Sequence, residues 1–289
     1  MATNFFPSRH RCCPQCSERK VTVAGKELVE YYHRGVVLHL TGFRVALPLD
    51  VEMMRPGEGE VVAAKRLLER AITRYGRFFD VVVGDALYME APFFTFCLEH
   101  KKDVLAVLKG GRALLADAKG VFSLAKPKAW TEGCVRVRAW DQEGFTTAEG
   151  IEGSLRVLHT EEDVSIRERQ HNRWVEKRGL HHWWWATTLP VARVSTRMLW
   201  RMAHRRWDIE NDLFNTLVTH WSLDHCFKHE PTAIVTFVLT LFIAFVLLQS
   251  FYWGNLKRER RVHLSLIGLA MELSIGIVTM ATRASWIPP

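Results

Sequence analysis

Arg206 and Glu210 stand four residues apart in the run His204-Arg-Arg-Trp-Asp-Ile-Glu-Asn-Asp-Leu-Phe-Asn-Thr-Leu217. On a helix that spacing puts a cation and a carboxylate on adjacent turns of one face, where they can pair or meet one polyanionic substrate. A lone Arg/Glu couple is more often a surface ion pair, but Arg205, Trp207 and Asn211 add donors and an aromatic face beside this one. A second carboxylate, Asp85, comes directly after the apolar run Phe78-Phe-Asp-Val-Val-Val-Gly84; an Asp in that place is commonly a cap or turn residue. Softer ligands are also present. Cys12-Cys13-Pro-Gln-Cys16 holds one Cys-x2-Cys pair with His10 and His33 near it in sequence. A zinc knuckle needs a second pair at proper spacing, so reduced structural cysteines are expected here. His225 and His229 flank Cys226 four residues apart, which would suit two ligands on one helix turn. With no third ligand beside them, a packed or hydrogen-bonded histidine pair is expected.

The charge balance narrows the partners. Lys and Arg outnumber Asp and Glu by 39 to 31, for a net charge of +8 in 289 residues and a pI near 9.3, which favours an anionic partner. From Ser165 to Trp207 ten Lys or Arg (167, 169, 173, 177, 178, 193, 197, 201, 205, 206) face two Glu (168, 176), an excess of 10 − 2 = 8 that equals that of the whole chain. Trp174, Trp183, Trp184, Trp185 and Trp207 are interleaved with them. Clustered cations with aromatic rings are the footprint of nucleic-acid contact. The N-terminus lacks a basic region followed by an apolar run, and the six Cys do not suggest a disulfide framework in a chain this long, so a reducing, cytoplasmic setting is expected.

These groups must be positioned by an α/β scaffold. Tyr31 to Leu40 and Phe43 to Glu52, split by Thr41-Gly42, read as a hairpin. Glu58 to Arg74 carries Val61, Ala64, Leu67, Leu68 and Ala71 at helical spacing. Phe78 to Gly84 reads as a buried strand, Ala91 to His100 as a helix and Val104 to Leu108 as a further strand. Between Gly110 and Pro190 the pattern turns β-rich, with Val135 to Trp140, Ser154 to Leu158 and Ile166 to Trp174 as strand-like pieces. Leu199, Ala203, Trp207, Leu213, Phe214 and Leu217 form the inward stripe of a helix begun near Ser195. On the alternating strand through Trp183, Trp184 and Trp185, at least one ring must face the core. Pro231 to Leu256 is uncharged and reads either as a buried helix or, through Ala233 to Phe251, as a membrane span. The polar stripe Thr232, Thr236, Thr240 and the interruption at Gln249 and Ser250 favour the buried helix.

The sequence Arg206-Trp-x-Ile-Glu-Asn, continued by Phe214-Asn-x-Leu, resembles the last catalytic motif of cut-and-paste insertion-sequence transposases, whose RNase H-like core carries an Asp, Asp, Glu triad. Arg206 and Glu210 match the signature Tyr-x2-Arg-x3-Glu-x6-Lys, whereas Ala203 and Leu217 stand at its Tyr and Lys positions, so the DNA contacts of those two are not carried over. The resemblance implies an RNase H-like mixed sheet flanked by helices, with core residues 1–110, a β-rich insertion 111–190 and core completion 191–289. It implies Asp85 and Glu210 as catalytic residues and metal ligands for two Mg2+ ions, which activate the nucleophile and stabilise the leaving oxygen of an in-line phosphoryl displacement. It further implies double-stranded transposon-end DNA as partner, contacted by Arg205, Arg206 and Trp207 and by Trp183, Trp184 or Trp185, one of which would stack on a base swung from the duplex. A homodimer is expected on DNA.

The first Asp of the triad should precede the hairpin, yet no Asp precedes Asp50, and Asn4-Phe-Phe-Pro-Ser-Arg-His resembles the segment just after such an Asp. A truncated or mis-started transposase is therefore expected. Asp50 and Glu52 end the hairpin's second strand and read as structural. Two other classes compete: a catalytically inactive DNA-binding remnant that interferes with a full-length relative, and a basic membrane protein built on residues 233–251.

Overall fold

The computed structural model describes residues 1–170, 173–225 and 228–284, the side chains of 166–170, 173–176 and 281–284 excepted. It divides into two compact units. The first is Ala64–Trp207 with Met1, and the second joins Ala2–Ala63 to Asp208–Pro289.

The second unit begins with four strands, β1 (Ala2–Ser8), β2 (Ser17–Val23), β3 (Lys26–Leu40) and β4 (Leu47–Met53), the other three all antiparallel neighbours of the long β3. The expected hairpin is β3 with β4, but its turn is longer than Thr41-Gly42. Pairing closes at Leu40 with Leu47, and Phe43 is exposed in the turn. Gly35 is required where β3 passes β1, because a Cβ there would lie 2.8 Å from Phe5 Cε2. Helix α1 (Glu60–Tyr75) carries its predicted stripe inward, with Val61, Ala64, Leu67, Leu68 and Ala71 buried. Its first-turn Glu60 accepts from the Ala2 amide at 2.9 Å and from Arg34 at 3.1 Å, where the helix dipole also favours an anion.

The first unit holds a six-stranded mixed sheet in the order β5-β6-β10-β9-β8-β7. Strands β5 (Val81–Gly84) and β6 (Asp103–Val107) are parallel, linked through α2 (Ala91–Glu99). The parallel pair needs that crossover, and Pro92 in the first turn fixes where the helix begins. A helix not anticipated from sequence, α3 (Ala113–Leu124), precedes the antiparallel strands β7 (Lys128–Glu132), β8 (Val135–Phe145), β9 (Leu155–Gln170) and β10 (Arg173–Thr187). The pieces Ser154 to Leu158 and Ile166 to Trp174 are thus parts of one long hairpin, whose tip residues 171 and 172 lie outside the described residues. Strand β10 closes antiparallel on β6, pairing Trp185 with Val107 and Thr187 with Leu105.

The element order of hairpin, helix, strand ending in Asp, helix and strand matches the expectation, and the chain is a mixed α/β fold of the RNase H-like kind. The helix begun at Ser195 is not uniform. Ser195 caps α4 (Thr196–His204) by accepting from the Met198 amide at 3.4 Å; a 3-10 turn (Arg205–Trp207) and a π-helical turn (Ile209–Phe214) then lead into α5 (Asn215–Trp221). Leu199, Ala203, Leu213 and Leu217 of the stripe are buried.

Helix α6 (Pro231–Gly254) is long and apolar enough to cross a membrane, but it packs on β4 and buries Ile234, Val238, Phe242 and Phe245. Gln249 is buried there, accepting from the Ala46 amide at 2.9 Å and donating to the Ala46 carbonyl at 3.0 Å. That polar group is satisfied by backbone of the same unit, while Ile243 and Leu247 of the same helix are exposed. Helices α7 (Arg258–His263) and α8 (Leu266–Ala284) complete the unit.

Candidate functional site

Asp85 stands where β5 ends, half-buried, and caps the 3-10 turn Ala86–Tyr88 by accepting from the Leu87 amide through Oδ1 at 2.9 Å. The cap reading is therefore correct for one oxygen, and among the described residues Oδ2 has no hydrogen-bond partner. The close turn depends on Gly84, since a Cβ there would sit 2.8 Å from Tyr88 Cβ and 2.9 Å from its Cγ. Gly84→Ala must push the turn, and Asp85 with it, away from the strand end. We expect it to destabilise the protein by about 1–3 kcal/mol, the range of overpacked cores, as measured by urea unfolding; an unchanged midpoint would show that the turn is not constrained.

Glu210 is half-buried on the π-helical turn. Such turns insert one residue into a helix and re-aim the side chains beyond them. Asp85 belongs to the first unit and Glu210 to the second.

The aromatic residues sort by strand alternation. Trp185 is 1% exposed and fills the core beneath α4 with Leu199, Trp200 and Ala203. Trp183, on the same face, is half-buried and meets Trp207 edge-on at 4.7 Å. Trp184 points to the other face, stacked on His159 at 3.8 Å and Phe122 at 5.8 Å. Arg205 is exposed, and the Arg206 guanidinium lies 4.4 Å over the Trp207 ring, a cation–π arrangement.

The basic window is partly neutralised by acids outside it. Arg197 and Arg201 both bind Glu132, at 2.9 and 2.8 Å, and Arg193 binds Asp103 at 2.6 Å. Hydrogen bonding to Arg201 leads the causes that hold the Glu132 carboxyl below its usual range. The side chains of Arg167, Glu168, Arg169, Arg173, Trp174 and Glu176 lie outside the described residues.

Two polar networks beneath α4 are not legible from sequence. Glu162 of β9 is buried and its Oε1 accepts from Trp200 Nε1 at 2.7 Å and Thr160 Oγ1 at 2.7 Å, with His204 Nε2 at 2.9 Å. Arg156 of β9 and Asp141 of β8, side chains each 1% exposed, form a bidentate pair at 2.7 and 2.6 Å. Arg156 also donates to the Val194 carbonyl at 2.7 Å, and Thr196 donates to Asp141 at 2.5 Å, so the pair anchors the start of α4.

Ligand-type side chains also gather twice. His159, Glu161 and His182 approach one another, but Glu161 is ion-paired with Arg138 at 2.7 Å and His159 Nδ1 meets the Trp183 carbonyl at 3.0 Å. In the second unit Cys13, Cys16 and His33 approach one another. Burial pushes the Cys16 thiol up to about 11, and burial with the neighbouring His229 pushes His33 down to about 4, so that imidazole is neutral.

A mixed sheet with several helices is consistent with an RNase H-like fold. The family described as transposase DDE domain matches residues 12–247. The chain belongs to that family, a transposase family of metal-dependent enzymes acting on DNA. No curated protein matches.

Proposed function

We propose that this transposase binds double-stranded transposon ends and that Asp85 and Glu210 are two of the three carboxylates through which the enzyme, when its triad is complete, performs strand cleavage and transfer. The observation that carries the reading is Asp85, set at the end of β5 with one carboxylate oxygen in the cap and the other turned to no protein donor among the described residues. Asp85 and Glu210 are each half-buried carboxylates, and hard oxygen donors of this kind are what magnesium takes, few of them from protein and the rest from water. When bound, two such ions supply Lewis-acid activation of the attacking oxygen and charge stabilisation of the leaving one. Arg205 and Arg206 meet phosphate, with Trp207 holding the Arg206 plane. Of the three rings, Trp183, half-buried beside Trp207, is the one we assign to base stacking, with Trp185 on the same face as support, while Trp184 lies on the other face against His159 and Phe122. Residues 111–190 hold the transposon end, and the protein pairs as a homodimer on DNA.

Duplex binding should weaken steeply with salt, and affinity that is flat between low and high salt would count against the basic surface. Arg206→Ala should lower affinity at every sequence and reduce the salt slope by about 1. Glu210→Ala should leave binding equal or tighter, because a carboxylate near phosphate repels it. With the triad complete, metal-dependent nicking of the cognate end should vanish in Asp85→Asn and Glu210→Gln. Binding without any metal-dependent nicking in the unaltered chain would leave a DNA-binding protein only, one able to interfere with an active relative.

A further inference from the structure

Two sequence features that carry nothing singly are joined in the second unit. Cys13 and Cys16 stand between β1 and β2, His33 is on β3, and His229 lies just before α6. Cys13 Sγ and Cys16 Sγ are 3.6 Å apart, and His33 Nε2 lies 3.4 Å from the first and 3.6 Å from the second. His229 Nδ1 lies 3.4 Å from Cys16 Sγ, with its ring 4.8 Å from that of His33, edge to face. We propose that Cys13, Cys16, His33 and His229 form a closed tetrahedral zinc site.

The spacing among Cys13, Cys16 and His33 is that of ligands around one ion. With Zn–S of about 2.3 Å and Zn–N of about 2.0–2.1 Å, tetrahedral edges come to about 3.7 Å for S···S and about 3.5 Å for S···N. The three distances among Cys13, Cys16 and His33 and the one from Cys16 to His229 fall on those values, and His229, which lies outside the mutual cluster of the other three, turns inward to complete the shell. Two thiolates and two imidazoles are soft and borderline donors, which select zinc over the magnesium expected at carboxylates. The outer contacts suit the same assignment. His229 Nε2 lies 3.1 Å from the Phe6 carbonyl, which takes the ring N–H and leaves Nδ1 toward Cys16. The Cys13 amide donates to Cys16 Sγ at 3.1 Å, and the Cys16 amide donates to the Cys13 carbonyl at 3.1 Å, which closes the Cys-Pro-Gln-Cys turn. A Cys13–Cys16 disulfide would account for neither imidazole. Four protein ligands leave no open position, so the ion is structural. It ties the β1–β2 turn and β3 to the segment that begins α6.

The full chain, purified without chelator or a histidine tag, should carry one equivalent of zinc by elemental analysis. Cobalt exchanged for zinc should give tetrahedral d–d bands with thiolate charge transfer. Cys16→Ser and His33→Ala should lose the ion, Cys12→Ser should keep it, and His229→Cys should keep it with stronger charge transfer. If the ligand variants fail to fold, X-ray absorption of the unaltered protein decides, with two sulfur and two nitrogen neighbours expected. Zinc-free protein without a cobalt spectrum, a Cys13–Cys16 disulfide in protein prepared under reducing conditions, loss of zinc in Cys12→Ser, or a ligand shell other than two sulfur and two nitrogen overturns the assignment.

Discussion

Asp141→Ala should destabilise the protein by about 3–5 kcal/mol, the cost of stranding one partner of a buried ion pair. The cause is specific. Arg156 is left with its guanidinium buried, while the oxygens that met its Nε and Nη2 at 2.7 and 2.6 Å are gone. Thr196 loses its acceptor as well, so the first turn of α4 loosens together with the sheet. For a protein of this size the loss corresponds to a fall of about 6–20 °C in Tm, read by circular dichroism. Replacing both partners with apolar residues of similar volume, Asp141→Leu with Arg156→Met, should recover most of it, because no charge is then left buried. Equal destabilisation by the single and double variants would show that packing, and not the stranded charge, sets the cost.

Glu162→Ala is expected to cost about 2–4 kcal/mol, since Trp200 Nε1 and Thr160 Oγ1 lose a buried acceptor and His204 loses its partner. The acid limb of the stability profile carries the same information. Burial pushes the Glu162 carboxyl up, but hydrogen bonding to and the charge of His204, with the bonds from Trp200 and Thr160, outweigh it, so the folded value lies below the ordinary one. A depressed carboxyl contributes stability that is fully present above its unfolded pKa of about 4.3 and is lost as pH falls through the folded value. Unfolding midpoints tracked downward from about pH 5 should therefore drop less steeply in Glu162→Gln than in the unaltered protein. Parallel curves would mean that the Glu162 carboxyl does not change its pKa on folding.

The parts legible in the sequence are those where one face is apolar at a regular period. Helix α1 with its Val61 to Ala71 stripe, the β5–α2–β6 unit and the position of Asp85 arise from local patterning. Strand β9 does not show its length because Glu161, Glu162, Asp163, Arg167, Glu168 and Arg169 interrupt the apolar alternation; its outer half is held by pairing to β10, a long-range cause that periodicity does not see. Helix α3 begins after Gly110-Gly111 and contains Gly120, which together read as breaks. The 3-10 and π turns around Glu210 carry helical spacing in their residues, so only the backbone shows the change. The same limit applies to ligands. Cys13-Pro-Gln-Cys16 and His229, each taken alone, lack partners that the fold supplies from distant positions.

The interleaving of the two units has a consequence for synthesis. The first unit is one continuous stretch from Ala64 to Trp207, whereas the second needs Ala2–Ala63 and Asp208–Pro289 together. Translation at about 5–20 residues per second leaves the β1–β4 sheet waiting about 7–30 s for the 208 − 63 = 145 residues that bring the second part of its unit, starting at Asp208. During that interval the face of β4 that will receive α6 is bare, and its edges can pair with other nascent chains. The β1–β4 sheet thus emerges before the first unit and is completed after it.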